Sequence, residues 1–433
     1  MLDIELIRRE PGRVREALRA KGLLEEGVAE AKGEDPVERA QRLDAKRRDT
    51  ITALEDAQAE RNDRSQQIGE LMQAGEEERA QEHIARTKEL KQDVQSLEEE
   101  VEETEAALRP LLLALPNLPH SSVPVGADEG DNEVEEEVGR APAFDFDPQP
   151  HWALAEQHGL VDFERGAKVT GAGFPFYTGQ GARLQRALVQ LFLDEAAEAG
   201  YAEMQPPLFV NEASARGTGQ LPDKEDLMYE IGRDELFPIP TAEVPVTNFF
   251  REEILSAEAL PIKRCAYTPC FRREAGSYGQ DVRGLNRLHQ FDKVELVWLA
   301  RPDESYRALE TLRTDAERLL EKLGLPYRRL LMCTGDLGFA QAKKYDLEVW
   351  SAGQERWLEV SSVSNFESFQ ARRADIRYRP EPEARPRPVH TLNGSALALP
   401  RVIAALLEHF QTEDGAVALP GVLTEYTGFE RIG

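Results

Sequence analysis

Cysteine is scarce in this chain of 433 residues, which contains only three. Cys265, Cys270 and Cys333 form no C-x-x-C pair, and histidine and cysteine do not cluster at the spacing of zinc ligands. The pattern therefore excludes a disulfide framework and predicts no zinc site. A reduced, cytoplasmic setting fits this composition.

Long apolar runs are also missing. The longest, around Leu111 to Leu118, is far too short to span a bilayer. The first 22 residues mix both charges without the apolar core of a secretory signal. We therefore expect a protein with no membrane anchor.

Positively charged residues are fewer than negatively charged ones, and the formal net charge is −27. A field of this sign repels phosphate at long range, which argues against general adhesion to nucleic acid or anionic membrane. Any binding of nucleic acid must therefore use a local patch.

Two long helical stretches dominate the first quarter of the chain, after a short helical cap predicted to end at Gly33. The first stretch starts at Asp35-Pro36, a good helix-start pair, and reaches about Met72. A turn is predicted at Ala74-Gly75, and the second stretch continues to Arg109 with apolar residues alternating by four and three. Helices joined so closely must run antiparallel, so we expect a helical hairpin.

The first arm of this hairpin is locally enriched in basic residues, among them Arg39, Arg42, Lys46 and Arg47. Such an arm is typical of a solvated scaffold or a dimerisation coil. Its basic residues also allow it to meet a polyanion while the acidic body of the protein stays clear. The composition alone leaves both interpretations open.

Three domains are predicted from the changes in composition. Residues 1–115 form the hairpin domain, and residues 116–150 are a linker rich in proline, glycine and acid with little periodicity. Residues 151–433 form a mixed domain in which strand-like and helix-like segments alternate.

The stretch from Phe271 to Glu295, FRREAGSYGQDVRGLNRLHQFDKVE, crowds four arginines around a loop punctuated by glycine. Alternation along the following strand places Arg287, Lys293 and Glu295 on one face, and Val294 with its apolar neighbours on the other. One face is therefore core, and the other presents cations and an anion. This pattern suits a zwitterionic, phosphorylated ligand, although a surface hairpin with exposed charges would look the same.

Three further segments favour a ligand site. Residues 239–248 place Thr241 and Glu243 beside prolines, and residues 358–373 place Glu359 and Ser362 near the end of a strand. Carboxylate and hydroxyl oxygens are the ligands that Mg²⁺ prefers, often together with substrate phosphates. Residues 391–410 predict a short strand, an Asn-Gly-Ser turn and an amphipathic helix with Arg401 near its start.

Neither common nucleotide-binding signature is present. The chain has no G-x-x-x-x-G-K-[ST] motif, and residues 170–176 hold too few glycines for a dinucleotide turn. Arginines and a metal ion would then hold the phosphates.

These motifs resemble those of bacterial-type seryl-tRNA synthetases, which are class II aminoacyl-tRNA synthetases. Residues 200–207 resemble motif 1 of that class, residues 271–295 resemble motif 2, and NGSALALPR resembles motif 3. The blocks GTGQLP, PTAEVPVTN and SNFESFQARR resemble segments specific to the seryl enzyme, and the basic hairpin occupies the place of its tRNA-binding arm. The resemblance covers essentially the whole chain.

The resemblance implies a role for each matching residue. Arg272 would contact the α-phosphate and the serine carboxylate, Glu274 the adenine amino group, and Arg401 the nucleotide, as the catalytic candidates. Glu359 and Ser362 would hold the Mg²⁺ that accompanies ATP. The ATP-binding candidates are Arg272, Arg273, Glu274, Arg287, Leu288, Glu359, Val360, Ser361, Ser362 and Arg401. The serine-binding candidates are Thr241, Glu243, Arg272, Glu295, Asn393 and Ser395. The tRNA-binding candidates are Arg39, Arg42, Lys46 and Arg47.

Arg273 departs from the family pattern, which usually has a small residue there. Because it lies on the strand face opposite Arg272, it is better suited to the acceptor end of tRNA or to solvent than to ATP.

The implied fold is α+β, a mainly antiparallel sheet flanked by helices with a long N-terminal antiparallel hairpin. The implied enzyme is a cytoplasmic homodimer that joins L-serine to tRNA(Ser), with tRNA(Sec) as a further expected partner. Two alternatives stay open: a paralogue that loads a carrier protein, and a catalytically inactive tRNA-binding or coiled-coil scaffold.

Overall fold

The computed structural model describes residues 1–22, 35–274 and 283–433. The chain divides into two compact units, one comprising Met1–Arg19 and the segment that ends at Pro116, the other comprising Ala20–Gly22 and Asn117–Gly433. The α-helices are α1 Ile4–Arg9, α2 Pro11–Ala20, α3 Pro36–Ala74, α4 Glu77–Ala114, α5 His151–Gln157, α6 Phe163–Val169, α7 Gly179–Glu198, α8 Glu212–Gly217, α9 Glu243–Asn248, α10 Ser305–Leu323, α11 Phe369–Ala374, α12 Leu399–His409 and α13 Gly421–Thr427.

The strands are β1 Glu133–Val138, β2 Val161–Asp162, β3 Phe176–Tyr177, β4 Ala202–Glu203, β5 Phe209–Asn211, β6 Leu236–Pro238, β7 Ile254–Ser256, β8 Ile262–Phe271, β9 Gln290–Ala300, β10 Tyr327–Leu331, β11 Lys343–Ser351, β12 Arg356–Glu367, β13 Arg377–Arg379, β14 Arg387–Pro388, β15 His390–Ala398, β16 Val417–Ala418 and β17 Arg431–Ile432. In the described part of the chain, no helix has the length and apolar character that crossing a membrane requires.

Helices α3 and α4 form the predicted hairpin. The Asp35 carboxylate accepts a hydrogen bond from the Val37 amide at 2.7 Å and so caps the start of α3. Gly75 ends that helix in the left-handed conformation, with φ of 77°, at the predicted turn. Leu90 and Leu108 of the predicted apolar stripe are buried. The helical hairpin is confirmed.

The predicted end of the second arm at Arg109 is wrong, because α4 continues through Pro110 to Ala114. Proline inside a helix removes one backbone hydrogen bond and disfavours the residue before it. Leu112 and Leu115 are almost fully buried just beyond the proline. Burial of apolar side chains in this last turn outweighs the local preference. The cap predicted to end at Gly33 reaches into residues 23–34, outside the described ranges.

An eight-stranded sheet forms the centre of the second unit, in the order β1-β10-β11-β12-β15-β9-β8-β4. Neighbouring strands are antiparallel except for β4 and β8, which are parallel. Helices α7, α10 and α12 pack against one face, where Val294, Leu296 and Trp298 belong to the main hydrophobic core. Val297 and Leu299 pack on the opposite face against α9 and α11. This alternation confirms the predicted α+β fold, a mainly antiparallel sheet flanked by helices.

The acidic segment of the predicted linker contains a strand of the main sheet. Residues Glu133–Val138 pair with β10 in antiparallel register, and Arg329 of β10 forms ion pairs with Glu135 and Glu136 at 2.9 Å each. Because an arginine of β10 lies opposite these glutamates, a sequence so rich in glutamate is stabilised as a strand at the edge of the sheet.

The Asn-Gly-Ser turn predicted near residue 394 is wrong, because β15 runs without interruption from His390 to Ala398. Gly394 pairs with Leu296 of β9 and with Val363 of β12. A β-carbon at Gly394 would lie 3.2 Å from the side chain of Leu312 in α10. Glycine serves here for close helix packing, and pairing on both sides overrides the local turn preference.

Candidate active site

A cavity of about 370 Å³ lies over the sheet face opposite α7, α10 and α12. Its floor comes from β9, β12 and β15, and its rim from the segment before β9 and from the start of α12. The residues that line it are Gln220, Lys224, Leu227, Met228, Pro240, Thr241, Glu243, Arg272, Glu274, Leu285, Asn286, Arg287, Leu288, Phe291, Lys293, Gln341, Lys344, Glu359, Val360, Ser361, Ser362, Ser364, Asn393, Ser395, Ala398, Pro400 and Arg401.

One end of the cavity holds two buried carboxylates joined by one amide. The Asn393 side-chain N–H group donates to Glu295 Oε1 at 2.8 Å and to Glu243 Oε2 at 3.1 Å. The Asn393 carbonyl oxygen, Oδ1, is buried and has no hydrogen-bond partner in the described structure. A buried acceptor without a partner is unfavourable.

Polar groups from three elements support these carboxylates. Lys293 forms an ion pair with Glu295 and donates to Thr241 Oγ1 at 3.0 Å. Gln370 of α11 donates to Glu243 Oε1 at 2.6 Å. Burial raises the pKa of Glu243 to about 7, and the nearby Glu295 adds to this effect.

Arginines surround the other end of the cavity. Arg272 follows β8, donates to the Pro240 carbonyl oxygen at 3.3 Å, and stacks over the Phe291 ring at 5.1 Å. Glu274 forms an ion pair with Arg287. Glu274 has a φ of 49°, in the left-handed region that residues with a side chain rarely adopt.

Arg401 joins the start of α12 to two neighbouring segments. Its Nε donates to the Asn286 carbonyl oxygen at 3.0 Å, and its NH1 donates to the Glu359 carbonyl oxygen at 2.7 Å. The same guanidinium lies 3.7 Å from the Glu359 carboxylate. Backbone carbonyl oxygens therefore hold both Nε and NH1 of the Arg401 guanidinium, and this residue lines the cavity.

A β-bulge aligns Glu359 with Ser362. These residues are three apart and would face opposite sides of a regular strand. The register of β12 against β11 shifts between Glu359 and Ser361, so that Val360 is the extra residue. Val360 and Val363 pack in the main core, while Glu359 and Ser362 line the cavity.

The donor set fits a magnesium ion that also binds a substrate. Nearly half of the Glu359 side chain, 46%, is exposed, and the Ser362 hydroxyl lines the same cavity. One carboxylate and one hydroxyl supply only two ligands to the ion. Mg²⁺ usually completes its coordination shell with waters and substrate phosphates. Within the described ranges, no three His, Cys, Asp or Glu side chains are grouped to hold a metal ion.

The structure brings together most of the candidate residues named from the sequence. Fourteen of the fifteen ATP- and serine-binding candidates line this cavity or contact its lining directly, Glu295 through Asn393. The exception is Arg273, an exposed residue whose amide donates to the Leu227 carbonyl oxygen at 2.9 Å. The loop glycines Gly276 and Gly279 lie outside the described residues.

Sequence reasoning missed several residues that support the site. They contact candidate residues without having been named as candidates: Gln370 holds Glu243, Asn286 holds Arg401, and Phe291 lies under Arg272. Phe291 lies on the same face of β9 as Lys293 and Glu295, because alternate residues of a strand share a face. This alternation along the sequence indicates Phe291 as part of the site. Nothing in the local pattern connects residue 370 with residue 243.

The four tRNA-binding candidates lie on α3, in the first unit. Arg39, Arg42 and Lys46 are exposed. Lys46 forms an ion pair with Glu100 of α4 at 2.9 Å, and Arg47 one with Glu105 at 2.7 Å. Two of the four cations therefore face acids of the neighbouring helix.

The sheet and the arginine-lined cavity define the chain as a class II aminoacyl-tRNA synthetase. The family model described as tRNA synthetase class II core domain (G, H, P, S and T) matches residues 229–410. A second model, Seryl-tRNA synthetase N-terminal domain, matches residues 1–119.

Curated relatives and solved structures agree with both matches. A Serine--tRNA ligase of Salinibacter ruber is 64% identical over 433 residues, covering 100% of this chain and 99% of the relative. A Serine--tRNA ligase of Exiguobacterium sibiricum is 51% identical over 99% of this chain and 98% of the relative. The crystal structure of seryl-tRNA synthetase from Pyrococcus horikoshii complexed with ATP is similar with a TM-score of 0.91 and 38% identity, covering 100% of this chain and 99% of that one. The chain belongs to the seryl-tRNA synthetase family, and it is an aminoacyl-tRNA ligase.

The raised pKa of Glu243 predicts a pH-dependent stability. A carboxyl whose pKa is about 7 when folded and 4.5 ordinarily contributes stability that is complete below pH 4.5 and is lost as the pH rises to about 7. The loss is on the order of 3 kcal/mol. Urea unfolding followed by tryptophan fluorescence measures it, because all four tryptophans lie in the second unit.

Glu243→Gln should remove this pH dependence of the free energy of unfolding. The difference in that free energy between wild type and variant should therefore change between pH 4.5 and 7 and be constant above pH 7. Glu381→Gln, at an exposed carboxylate, is the matched control and should leave the profile unchanged. Parallel profiles for wild type and Glu243→Gln would contradict the raised pKa.

Proposed function

We propose that this protein activates L-serine with ATP to form seryl-adenylate and pyrophosphate, and then transfers the seryl group to the 3′ end of tRNA(Ser). One observation carries the proposal: Asn393 joins two buried carboxylates directly beside a cavity lined by Arg272, Arg287 and Arg401. An anionic pocket next to a cationic one matches a small amino acid placed against a polyphosphate.

The carboxylate end of the cavity is suited to serine. Glu243 and Glu295 supply negative charge for the ammonium and acceptors for the hydroxyl. Thr241 and Ser395 complete the polar lining. Alanine would leave buried acceptors unpaired, which discriminates strongly, while the extra methyl group of threonine would be rejected sterically.

The cationic end is suited to ATP. Arg272 would contact both the α-phosphate and the serine carboxylate, Glu274 would accept from the adenine amino group, and Arg401 would brace the nucleotide. Arg287 and Leu288 would complete the site. Mg²⁺ held by Glu359 and Ser362 would offset negative charge on the phosphates.

The reaction needs no covalent catalyst from the protein. An oxygen of the serine carboxylate attacks the α-phosphorus, a new P–O bond forms, and the bond to the bridging oxygen breaks as pyrophosphate leaves. A ribose hydroxyl at the tRNA 3′ end then attacks the seryl carbonyl carbon and releases AMP. Arg272 places both reactants and offsets the charge that develops, so positioning and electrostatics supply the catalysis.

The hairpin of α3 and α4 is the proposed contact with tRNA. Its first arm carries Arg39, Arg42, Lys46 and Arg47 in a chain whose net charge repels polyanions. We extend the proposal to tRNA(Sec) as a second substrate, because a contact through phosphates does not itself distinguish tRNAs of similar shape.

A homodimer and a cytoplasmic setting are part of the same proposal. Strand β4, in the segment that resembles motif 1, ends the main sheet with both residues exposed and no further strand beside it in the described structure. An open edge of this kind favours association with a second copy. All three cysteines are free and buried, which suits a reducing compartment.

The amino-acid specificity is tested by ATP–pyrophosphate exchange screened over the amino acids. We expect exchange with serine, and rates at least about a thousandfold lower with alanine, because a missing hydroxyl leaves buried polar groups unpaired. Exchange that prefers another amino acid would overturn the proposal. Serine exchange without tRNA-dependent consumption of seryl-adenylate would instead favour loading of a carrier protein.

Arg272→Ala should abolish serine-dependent exchange, a loss on the order of a thousandfold, because one side chain holds both reactants. Arg385→Ala, an exposed arginine on a surface loop, is the control and should keep wild-type exchange. An Arg272→Ala variant with ordinary exchange would refute the role of this residue.

Replacing Arg39, Arg42, Lys46 and Arg47 together by alanine should raise the KM for tRNA at least roughly tenfold, and each lost phosphate contact should lower the salt slope by about 1. Serine-dependent exchange should be unchanged, since the first step needs no arm.

Replacing Glu100 and Glu105 by glutamine is the matched test on the facing helix. It frees Lys46 and Arg47 from their acidic partners, so the KM for tRNA should fall. Equal charging by all variants would show that the arm is only a scaffold.

A further inference from the structure

A buried histidine and a buried glutamate lie behind the nucleotide end of the cavity, and neither is used by the proposed reaction. His151 begins α5 and Glu408 lies near the end of α12, and both are 0% exposed. His151 Nδ1 lies 2.7 Å from Glu408 Oε1, and the His151 amide donates to the same oxygen at 2.8 Å.

The surroundings determine where the imidazole carries its proton. The Leu285 amide donates to His151 Nε2 at 2.8 Å, so Nε2 is an acceptor. The proton of the neutral ring is therefore on Nδ1, which donates to Glu408. Burial raises the pKa of Glu408, but hydrogen bonds from His151 and Ser351 outweigh it and hold that pKa below its usual range.

Gly284 shows how closely the backbone approaches this ring. A β-carbon at Gly284 would lie 2.3 Å from His151 Nε2 and 3.1 Å from the Trp152 ring. The φ of Gly284 is 67°, which also favours glycine. The chain after the motif 2 loop therefore rests directly on His151.

A pair of side-chain amides extends the contact to the next residue. Asn286 Nδ2 donates to Gln354 Oε1 at 2.8 Å, and Gln354 Nε2 donates to Asn286 Oδ1 at 3.3 Å and to Ser351 Oγ at 2.7 Å. Ser351 in turn donates to Glu408. Leu285 and Asn286 are thus both tied to the buried carboxylate.

The chain of hydrogen bonds ends in the cavity. The Asn286 carbonyl oxygen accepts from Arg401 Nε at 3.0 Å. Arg401 and Glu408 are seven residues apart on α12, two helical turns or about 10 Å along one face. The segment 285–286 is therefore held at both ends by the same helix, with His151 between the segment and Glu408.

We propose that His151, protonated on Nδ1 only, is a positioning residue for the nucleotide: it holds Leu285 and Asn286 so that Arg401 and the neighbouring Arg287 face ATP. This inference rests on the proposed function of the cavity. His151 touches no substrate and acts through the backbone that Arg401 grips.

Two substitutions by amide side chains separate the hydrogen bond at Nδ1 from the hydrogen bond at Nε2. In His151→Gln the amide oxygen reaches the position of Nε2 and can accept from Leu285, whereas in His151→Asn the amide nitrogen replaces Nδ1 and the bond to Leu285 is lost. In serine-dependent exchange, His151→Asn should raise the KM for ATP roughly tenfold with the KM for serine unchanged, and His151→Gln should restore most of the loss. His158→Asn, at a histidine that contacts the Gly415 carbonyl oxygen, is the control and should match wild type.

Equilibrium ATP binding in an Arg401→Ala background completes the test. If His151 acts through Arg401, His151→Asn should weaken ATP binding there by less than about twofold, because contacting residues are coupled and not additive. Gln354→Leu, at a half-buried position, breaks the amide pair to Asn286 and should reproduce the ATP effect even if His151→Asn does not fold.

The inference fails if His151→Asn and His151→Gln are equally impaired or equally normal in exchange, or if the KM values for ATP and serine rise together. It also fails if the effects of His151→Asn and Arg401→Ala on ATP binding add. Normal ATP binding by Gln354→Leu would contradict it as well. A wild-type protein without serine-dependent exchange would refute the proposed function instead.

Discussion

Strand β15 hydrogen-bonds to β9 on one side and to β12 on the other, and the site depends on this double pairing. It sets Ser395 opposite Glu295 and Asn393 opposite Ser364, so the small polar pocket is assembled from three strands. A slip of one residue would turn Asn393 toward the helices and remove the bridge between the two carboxylates. Gly394 makes this register possible, because α10 packs closely against it.

The second constraint is electrostatic. Glu243 and Glu295 are buried side by side, which is costly unless each is hydrogen-bonded or paired. Asn393, Gln370 and Lys293 supply those partners. Even so, the pKa of Glu243 is raised to about 7, because burial and the neighbouring Glu295 disfavour its charged form. The ammonium group of the proposed substrate would supply the missing charge, so the pocket is more favourable when occupied than when empty.

The contrast between the whole chain and its site explains how an acidic protein can act on polyanions. The chain as a whole has a formal net charge of −27, whereas the cavity concentrates arginines, and backbone carbonyl oxygens hold Arg272 and Arg401. Because these contacts orient each guanidinium before any ligand arrives, little entropy is lost on binding. The buried His151–Glu408 pair belongs to the same arrangement, since it supports the segment that Arg401 grips.

Much of the architecture was accessible from the residues alone. The heptad in α4, the cap at Asp35 and the glycine at residue 75 are local signals, and local signals suffice for a helical hairpin. Alternation along β9 likewise separated the core face of Val294 from the site face of Lys293 and Glu295, because a strand has a period of two. The resemblance of the motifs to those of a known family indicated 13 of the 27 residues that line the cavity.

What only the tertiary structure decided depends on contacts between distant segments. The Asn-Gly-Ser sequence of residues 393–395 has turn preference, yet strand pairing on both sides keeps it extended. The bulge at Val360, which aligns Glu359 with Ser362, appears only in the register against β11. The proton position on His151 likewise follows from Leu285 and Glu408, more than a hundred residues away. Periodicity along a chain encodes which face a residue takes, but the energies of pairing and burial decide which partners it meets there.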